Sequence, residues 1–257
     1  MTRTHMSKDF WLSALRADGA AVLAAIGQTG AMTKPVPSCP DWTVGDLARH
    51  LGAVYRRTRL NAGSAGVDES WGPVVIPTEA PPPDDEQVVA WYGAELAQID
   101  AFLDQLDPDL PTWNWAPQAR TATFWFRRMA HETALHRWDA QLATGLAEPL
   151  EAKLAGDTVA EVLDTFLPAG RRRAASDEAG LVQLTASDLG HTWTVRLWPE
   201  GVALLDTGTL LDDDAHPAMA AASGSASDLA LALWGRLAFD ILETAGDIAL
   251  MKALRVA

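Results

Sequence analysis

Only one cysteine, Cys39, occurs in the 257 residues. An internal disulfide framework is therefore excluded, and a reducing compartment fits. Long apolar runs are missing too, since none approaches the roughly 20 residues a bilayer-spanning helix requires. The N-terminal stretch MTRTHMSKDFWLSALRADG carries charges through its apolar part, unlike a secretory signal, so the expectation is a cytoplasmic protein with no membrane partner. Positive charge is scarce: Lys and Arg total 20 against 34 Asp and Glu, a formal net charge of −14. Such a balance repels phosphate backbones and argues against nucleic acid as a partner. The short basic run at 171–173 reads as a solvated loop.

What is present suffices for one large domain or two of ordinary size, each with its own core. The first half reads as four helices. Residues 8–28 place Phe10, Leu15, Val22 and Ile26 at helical spacing. After a loop with three prolines and Cys39, the stretch DWTVGDLARHLGAVYRRTRL opens on a capping-box-like Thr43 and Asp46. Its apolar stripe is Val44, Leu47, Leu51, Val54 and Tyr55. A Pro/Gly-rich connection over about 61–84 is too long for a tight bundle turn and has the length to cover a cleft. A third helix is expected over 85–106, with Val88, Trp91, Leu96, Ile99 and Leu103 inward, and a fourth over 119–144, stopping near Gly145. The expected fold is thus an N-terminal four-helix bundle over 1–150 with a site between facing helices.

Beyond residue 150 the texture changes. A helix at 154–166 precedes GLVQLTA, TWTVRLWP and VALLDTG, which read as short strands of an antiparallel sheet. A further helix, ASDLALALWGRLAF, has Ser227 or Asp228 as candidate caps. Residues 151–257 are accordingly expected to form a smaller α+β domain.

Chemistry concentrates in HETALH, residues 131–136. This is not the HExxH metalloprotease pattern, because its histidines are five apart and diverge by roughly 140° around a helix. Glu132 and His136, four apart, share a face and can address one ion. Both fall in a largely apolar sector with Trp125 and Met129, where an unpaired carboxylate would cost several kcal/mol and a cation is one of few remedies. On the second helix His50 follows Leu47 by three and precedes Val54 by four, so it also faces inward. His50, Glu132 and His136 are therefore candidate metal ligands, leaving a position open for water or substrate as in catalytic zinc sites. The plainer alternative is a core His50, with Glu132 paired to Arg128 or Arg49. Asp139 is placed either to orient His136 or to pair with Arg128. His131 points about 100° from Glu132 and reads as packing, and Cys39, with no dedicated base beside it, reads as structural.

Three stretches carry a family resemblance: PVPSCPDWTVGDLARHLGAV, RMAHETALHRWDAQLATG and SASDLALALWGRLAFD. In that order they resemble the mycothiol-dependent maleylpyruvate isomerase family of the DinB-like helical superfamily. The resemblance implies a bundle holding a divalent metal, commonly zinc, at positions matching His50, Glu132 and His136, with mycothiol as thiol cosubstrate. It also implies thiolate addition to a conjugated double bond, rotation about the resulting single bond, and elimination to the trans isomer; relatives transfer the thiol to an electrophile. Arg236 matches an arginine-bearing segment of the family and is the candidate clamp for a substrate carboxylate, against a plain reading as a helix-end arginine bonding the last carbonyls. The expected partners are a small-molecule electrophile and a thiol, and the expected assembly is a monomer or homodimer. A metal-dependent hydrolase and a non-catalytic metal-binding or regulatory protein are the competing expectations.

Overall fold

The computed structural model describes residues 6–63, 84–145, 147–171, 177–205 and 219–256. The described chain divides into two compact units, one running to Glu148 and one beginning at Pro149.

In the first unit four helices form: α1 Lys8–Ile26, α2 Val44–Gly63, α3 Val88–Gln105 and α4 Thr123–Thr144. Their ends follow local chemistry. The Ser7 side chain accepts from the Phe10 amide to start α1. At α2 the capping box closes in both directions, with Thr43 Oγ1 accepting from the Asp46 amide at 3.2 Å and Asp46 Oδ2 accepting from the Thr43 amide at 2.9 Å. Hydrogen bonds from Thr43 also hold the Asp46 carboxyl below its ordinary value. α4 stops at Gly145, whose φ of 95° closes the last turn as few other residues can.

α1 packs on α3 and α4, and α2 on the same two helices. The inward stripe of α1 contains Leu15, Val22 and Ile26 as expected and adds Trp11 and Leu12, while Phe10 keeps partial exposure. Leu15, Val22, Leu47, Leu51, Ile99 and Leu103 are fully or almost fully buried, each contributing roughly 1.5–3 kcal/mol relative to an exposed position. Polar groups inside this core are matched. Tyr55 shares a hydrogen bond with Thr133 at 2.8 Å, Thr133 donates to the Met129 carbonyl at 2.7 Å, and Thr58 donates to Met129 Sδ at 3.2 Å. Burial pushes the Tyr55 phenol well up, so it stays a neutral hydrogen-bonding group. Between α2 and α3, buried Glu95 receives Arg56 and Arg59. The long connection expected over 61–84 lies, but for its two ends, outside the described residues, as do positions 172 and 173 of the basic run.

The second unit opens with α5 Ala152–Glu161, which continues as a π-helical turn over Val162–Phe166. The strands are β1 Gly180–Ala186, β2 His191–Trp198, β3 Gly201–Leu205, β4 Ala220–Gly224 and, after α6 Ala226–Leu233, β5 Glu243–Gly246, followed by α7 Ile248–Lys252. Sheet order is β3-β2-β1-β4-β5. The sheet is mixed rather than antiparallel, because β4 runs parallel to β1 with Val182 opposite Ala220. That strand, AAASG, has no alternation and few strand formers, so its extended form is imposed by β1 and β5 on either side. The α6 cap is Ser225 rather than Ser227 or Asp228: Ser225 is extended and accepts from the Asp228 amide at 3.1 Å. Ser227 Oγ instead accepts from the Leu150 amide. α6 also ends well before Phe239, with Gly235 at φ 72° just past its end. Among the described residues no helix is long and apolar enough to cross a membrane.

The approach of α2 to α3 depends on Gly52, where a Cβ would fall 2.3 Å from the Trp91 ring. Gly52→Ala is expected to lower stability by about 1–3 kcal/mol through overpacking, read as a shifted urea midpoint with an unchanged slope; an unaltered midpoint would contradict the packing described.

Candidate metal centre

α2 and α4 run antiparallel, and their shared register is visible in the contacts already described. Thr58 meets Met129 toward one end, Tyr55 meets Thr133 next, and His50 reaches Glu132 beyond them. His50 Nε2 lies 3.0 Å from Glu132 Oε1, and His136 Nε2 lies 3.4 Å from the same oxygen. One ligand atom from each of the three residues lies within 4.8 Å of the others. The donor set, two imidazoles and a carboxylate, is one that divalent zinc accepts. The residues present therefore fit the ion that the sequence resemblance implies.

Glu132 has contacts of two kinds. Its second oxygen receives Arg128, one helical turn earlier, while its first faces the two histidines. Arg49 is directed elsewhere, to Asp85 and Asp46. Burial alone would raise the Glu132 carboxyl; the Arg128 charge, with hydrogen bonds from His136 and His50, overrides it and holds the group well below the usual carboxylate range. Burial would likewise depress His136. Hydrogen bonds to Asp139, Cys39 and Glu132 outweigh burial and hold its imidazole well above the ordinary value. Glu132 is thus an anion ready to meet a cation.

Around this trio stand Asp139 and Cys39, with Ser38 and Trp42, which spacing did not single out. Asp139 is completely buried, and its Oδ2 lies 2.8 Å from His136 Nδ1, which is the orienting contact of the two expected for it. Ser38 Oγ donates to Asp139 Oδ1 at 2.5 Å, and Cys39 Sγ lies 3.7 Å from Oδ2. Trp42 packs against both histidines, its ring centroid 4.8 Å from His50 and 6.3 Å from His136. The one legible sign of Trp42 was its place immediately before the α2 cap; Ser38 carried none. His131 is fully buried and outside the trio. Arg236 belongs to the second unit, where Nη1 donates to the Trp234 carbonyl at 3.1 Å and the guanidinium lies over the Trp234 ring.

Removing the Arg128 charge leaves burial less opposed, so in Arg128→Met the Glu132 carboxyl of the ion-free protein is expected to titrate at higher pH, followed by carboxyl 13C resonances. The sign of the linked stability follows. A depressed folded value contributes stability above the unfolded pKa of about 4.3 and loses it as pH falls through the folded value. Arg128→Met should therefore narrow the range of acidic pH over which the fold persists. A Glu132 titration unmoved by the substitution would contradict the assignment of Arg128 as its counter-ion.

Residues 12–141, just over half of the chain, match the mycothiol maleylpyruvate isomerase N-terminal domain. No curated protein matches the sequence. Among solved structures, a crystal structure of the mycothiol-dependent maleylpyruvate isomerase is similar with a TM-score of 0.65 at 12% identity, covering 95% of this chain and 96% of that one. A crystal structure of a mutant of that isomerase, with histidine replaced by alanine, is similar with a TM-score of 0.63 at 13% identity and the same coverage. At such identity the likeness establishes the fold, four helices followed by a small sheet domain. The family follows from the sequence match: this chain belongs to the mycothiol maleylpyruvate isomerase N-terminal domain family.

Proposed function

We propose that the protein is a metal-dependent enzyme that uses a low-molecular-weight thiol, mycothiol, either to isomerise a small electrophile of the maleylpyruvate type or to transfer the thiol to it. The observation that carries this reading is the meeting of His50, Glu132 and His136 within one bundle of a chain of this family. These three residues would hold a divalent ion, with zinc the best match to two imidazoles and a carboxylate. Such an ion, when bound with an open position, supplies Lewis acidity that favours the deprotonated form of a thiol or water.

The chain's own residues do the rest. Arg128 keeps Glu132 ionised, so the carboxylate presents charge where two neutral imidazoles would present none. Asp139 fixes the plane of the His136 ring through Nδ1, leaving Nε2 directed toward Glu132. Trp42 forms an apolar wall beside both rings and limits the approach of water from its side. On the sequence resemblance we assign Arg236 to a substrate carboxylate, a role suited to a guanidinium's paired donors.

The test combines metal analysis of the purified protein with turnover of maleylpyruvate in the presence and absence of mycothiol. The expected outcome is a stoichiometric divalent ion, thiol-dependent product, and loss of turnover on chelation that is restored by Zn2+. Glu132→Ala is expected to lose the ion and at least about a hundredfold in turnover, as is usual when a group that stabilises developing charge is removed. Turnover that ignores the thiol would mean hydrolysis, and full ion content in Glu132→Ala would remove the site. Arg236→Ala is expected to raise KM for a carboxylate substrate while leaving ion content intact.

A further inference from the structure

The loop between α1 and α2 is built more tightly than a connection needs. Its ends are tied by the bridge between Pro35 and Thr43, and the Val44 and Gly45 amides donate to the Lys34 and Met32 carbonyls at 2.9 and 3.0 Å. Inside it, the Val36 amide donates to the Trp42 carbonyl at 2.9 Å. The Cys39 and Trp42 amides donate to the Val36 and Cys39 carbonyls, each at 3.1 Å. The reversal is completed by Asp41 at φ 67°, a conformation that non-glycine residues rarely adopt and that costs of order 1 kcal/mol. Three side chains of this loop reach α4 and its neighbourhood: Ser38 donates to Asp139, Cys39 Sγ lies 3.7 Å from the same carboxylate, and Trp42 packs on His50 and His136.

Resting on the metal reading above, we propose that this loop is the positioning device of the centre: Ser38 holds Asp139, Asp139 holds the Nδ1–H of His136, and Nε2 is thereby aimed at Glu132 and His50. The argument is one of constraint. An aspartate has two torsions and a histidine ring can flip, so a single carboxylate–imidazole contact does not fix the ring plane. At Asp139 the two oxygens are engaged separately, Oδ1 by Ser38 and Oδ2 by His136 and Cys39. That division fixes the carboxylate plane. A carboxylate fixed in plane accepts from only one orientation of the ring, with Nδ1 as donor and Nε2 as the atom turned toward Glu132 and His50. Trp42 closes off the tilt that would carry the His136 ring away, since the two rings are inclined by only 20°. Ser38 and Asp139 act through His136 and are positioning residues, while the anchor of the whole device is backbone hydrogen bonding in the loop.

The experiment uses the full chain with Co2+ alone as probe, its affinity measured by competition with a chromophoric chelator. It is paired with 15N-histidine spectra of the Zn2+-loaded protein that report the His136 Nδ1 proton. Wild type is expected to show that proton far downfield and protected from exchange. Asp139→Asn is expected to weaken Co2+ binding by about 10–100-fold, the usual effect of losing a partner behind a ligand histidine, and to shift or lose that resonance. Ser38→Ala should weaken Co2+ binding several-fold and speed exchange of the same proton, with Ser38→Thr restoring both. A purely structural role for Ser38 and Asp139 would lower the melting temperature without moving the proton signal. Should Asp139→Asn fail to fold, Ser38→Ala decides alone, since its side chain is only partly buried. Wild-type Co2+ affinity and an unmoved Nδ1 proton in Ser38→Ala would overturn the inference and leave the metal reading standing. A wild-type protein that takes up no Co2+ would overturn both.

Discussion

A carboxylate inside a helical bundle must be matched there, and most of the N-terminal unit is arranged around matching Glu132. Left alone at that depth, the anion would cost several kcal/mol. Its partners come from two directions, Arg128 along its own helix and His50 from the facing one. The second direction is the demanding one. It requires α2 and α4 to keep a single register, and the hydroxyl and thioether contacts of Tyr55, Thr58, Met129 and Thr133 hold that register a few residues away.

Glu132 is paired with an arginine through one oxygen and faces two imidazoles with the other. With Arg128 in place the carboxylate is compensated by a charge one helical turn away on its own helix. The high position of His136 has a related origin, because an imidazole flanked by Asp139, Cys39 and Glu132 is drawn toward its charged form.

Much of this was legible in the amino-acid sequence wherever the physics is periodic or local. Helical spacing located the four helices, the Thr43–Asp46 box and Gly145 marked ends correctly, and the four-residue step between Glu132 and His136 put both on one face. What escaped was set by tertiary contacts. The strand Ala220–Gly224 carries no pattern of its own and takes its conformation from neighbours on both sides. Ser225 outcompeted Ser227 as a cap because Ser227 is drawn inward to the Leu150 amide. Ser38 and Trp42 stand about 100 residues from the histidine they attend, and no spacing rule relates a loop to a distant helix. Asp139 was visible as a neighbour of His136, but its engagement with that ring depended on where Ser38 would arrive.

From Arg128 to Ala140, α4 is buried at every position except Glu132, so the helix that carries two of the three candidate ligands has no wet side. Adjacent residues face opposite interiors: His131 is sealed in packing while Glu132 looks into the centre. A rod enclosed on all sides is poor material for tinkering, since nearly any change to it disturbs the scaffold as well as the chemistry.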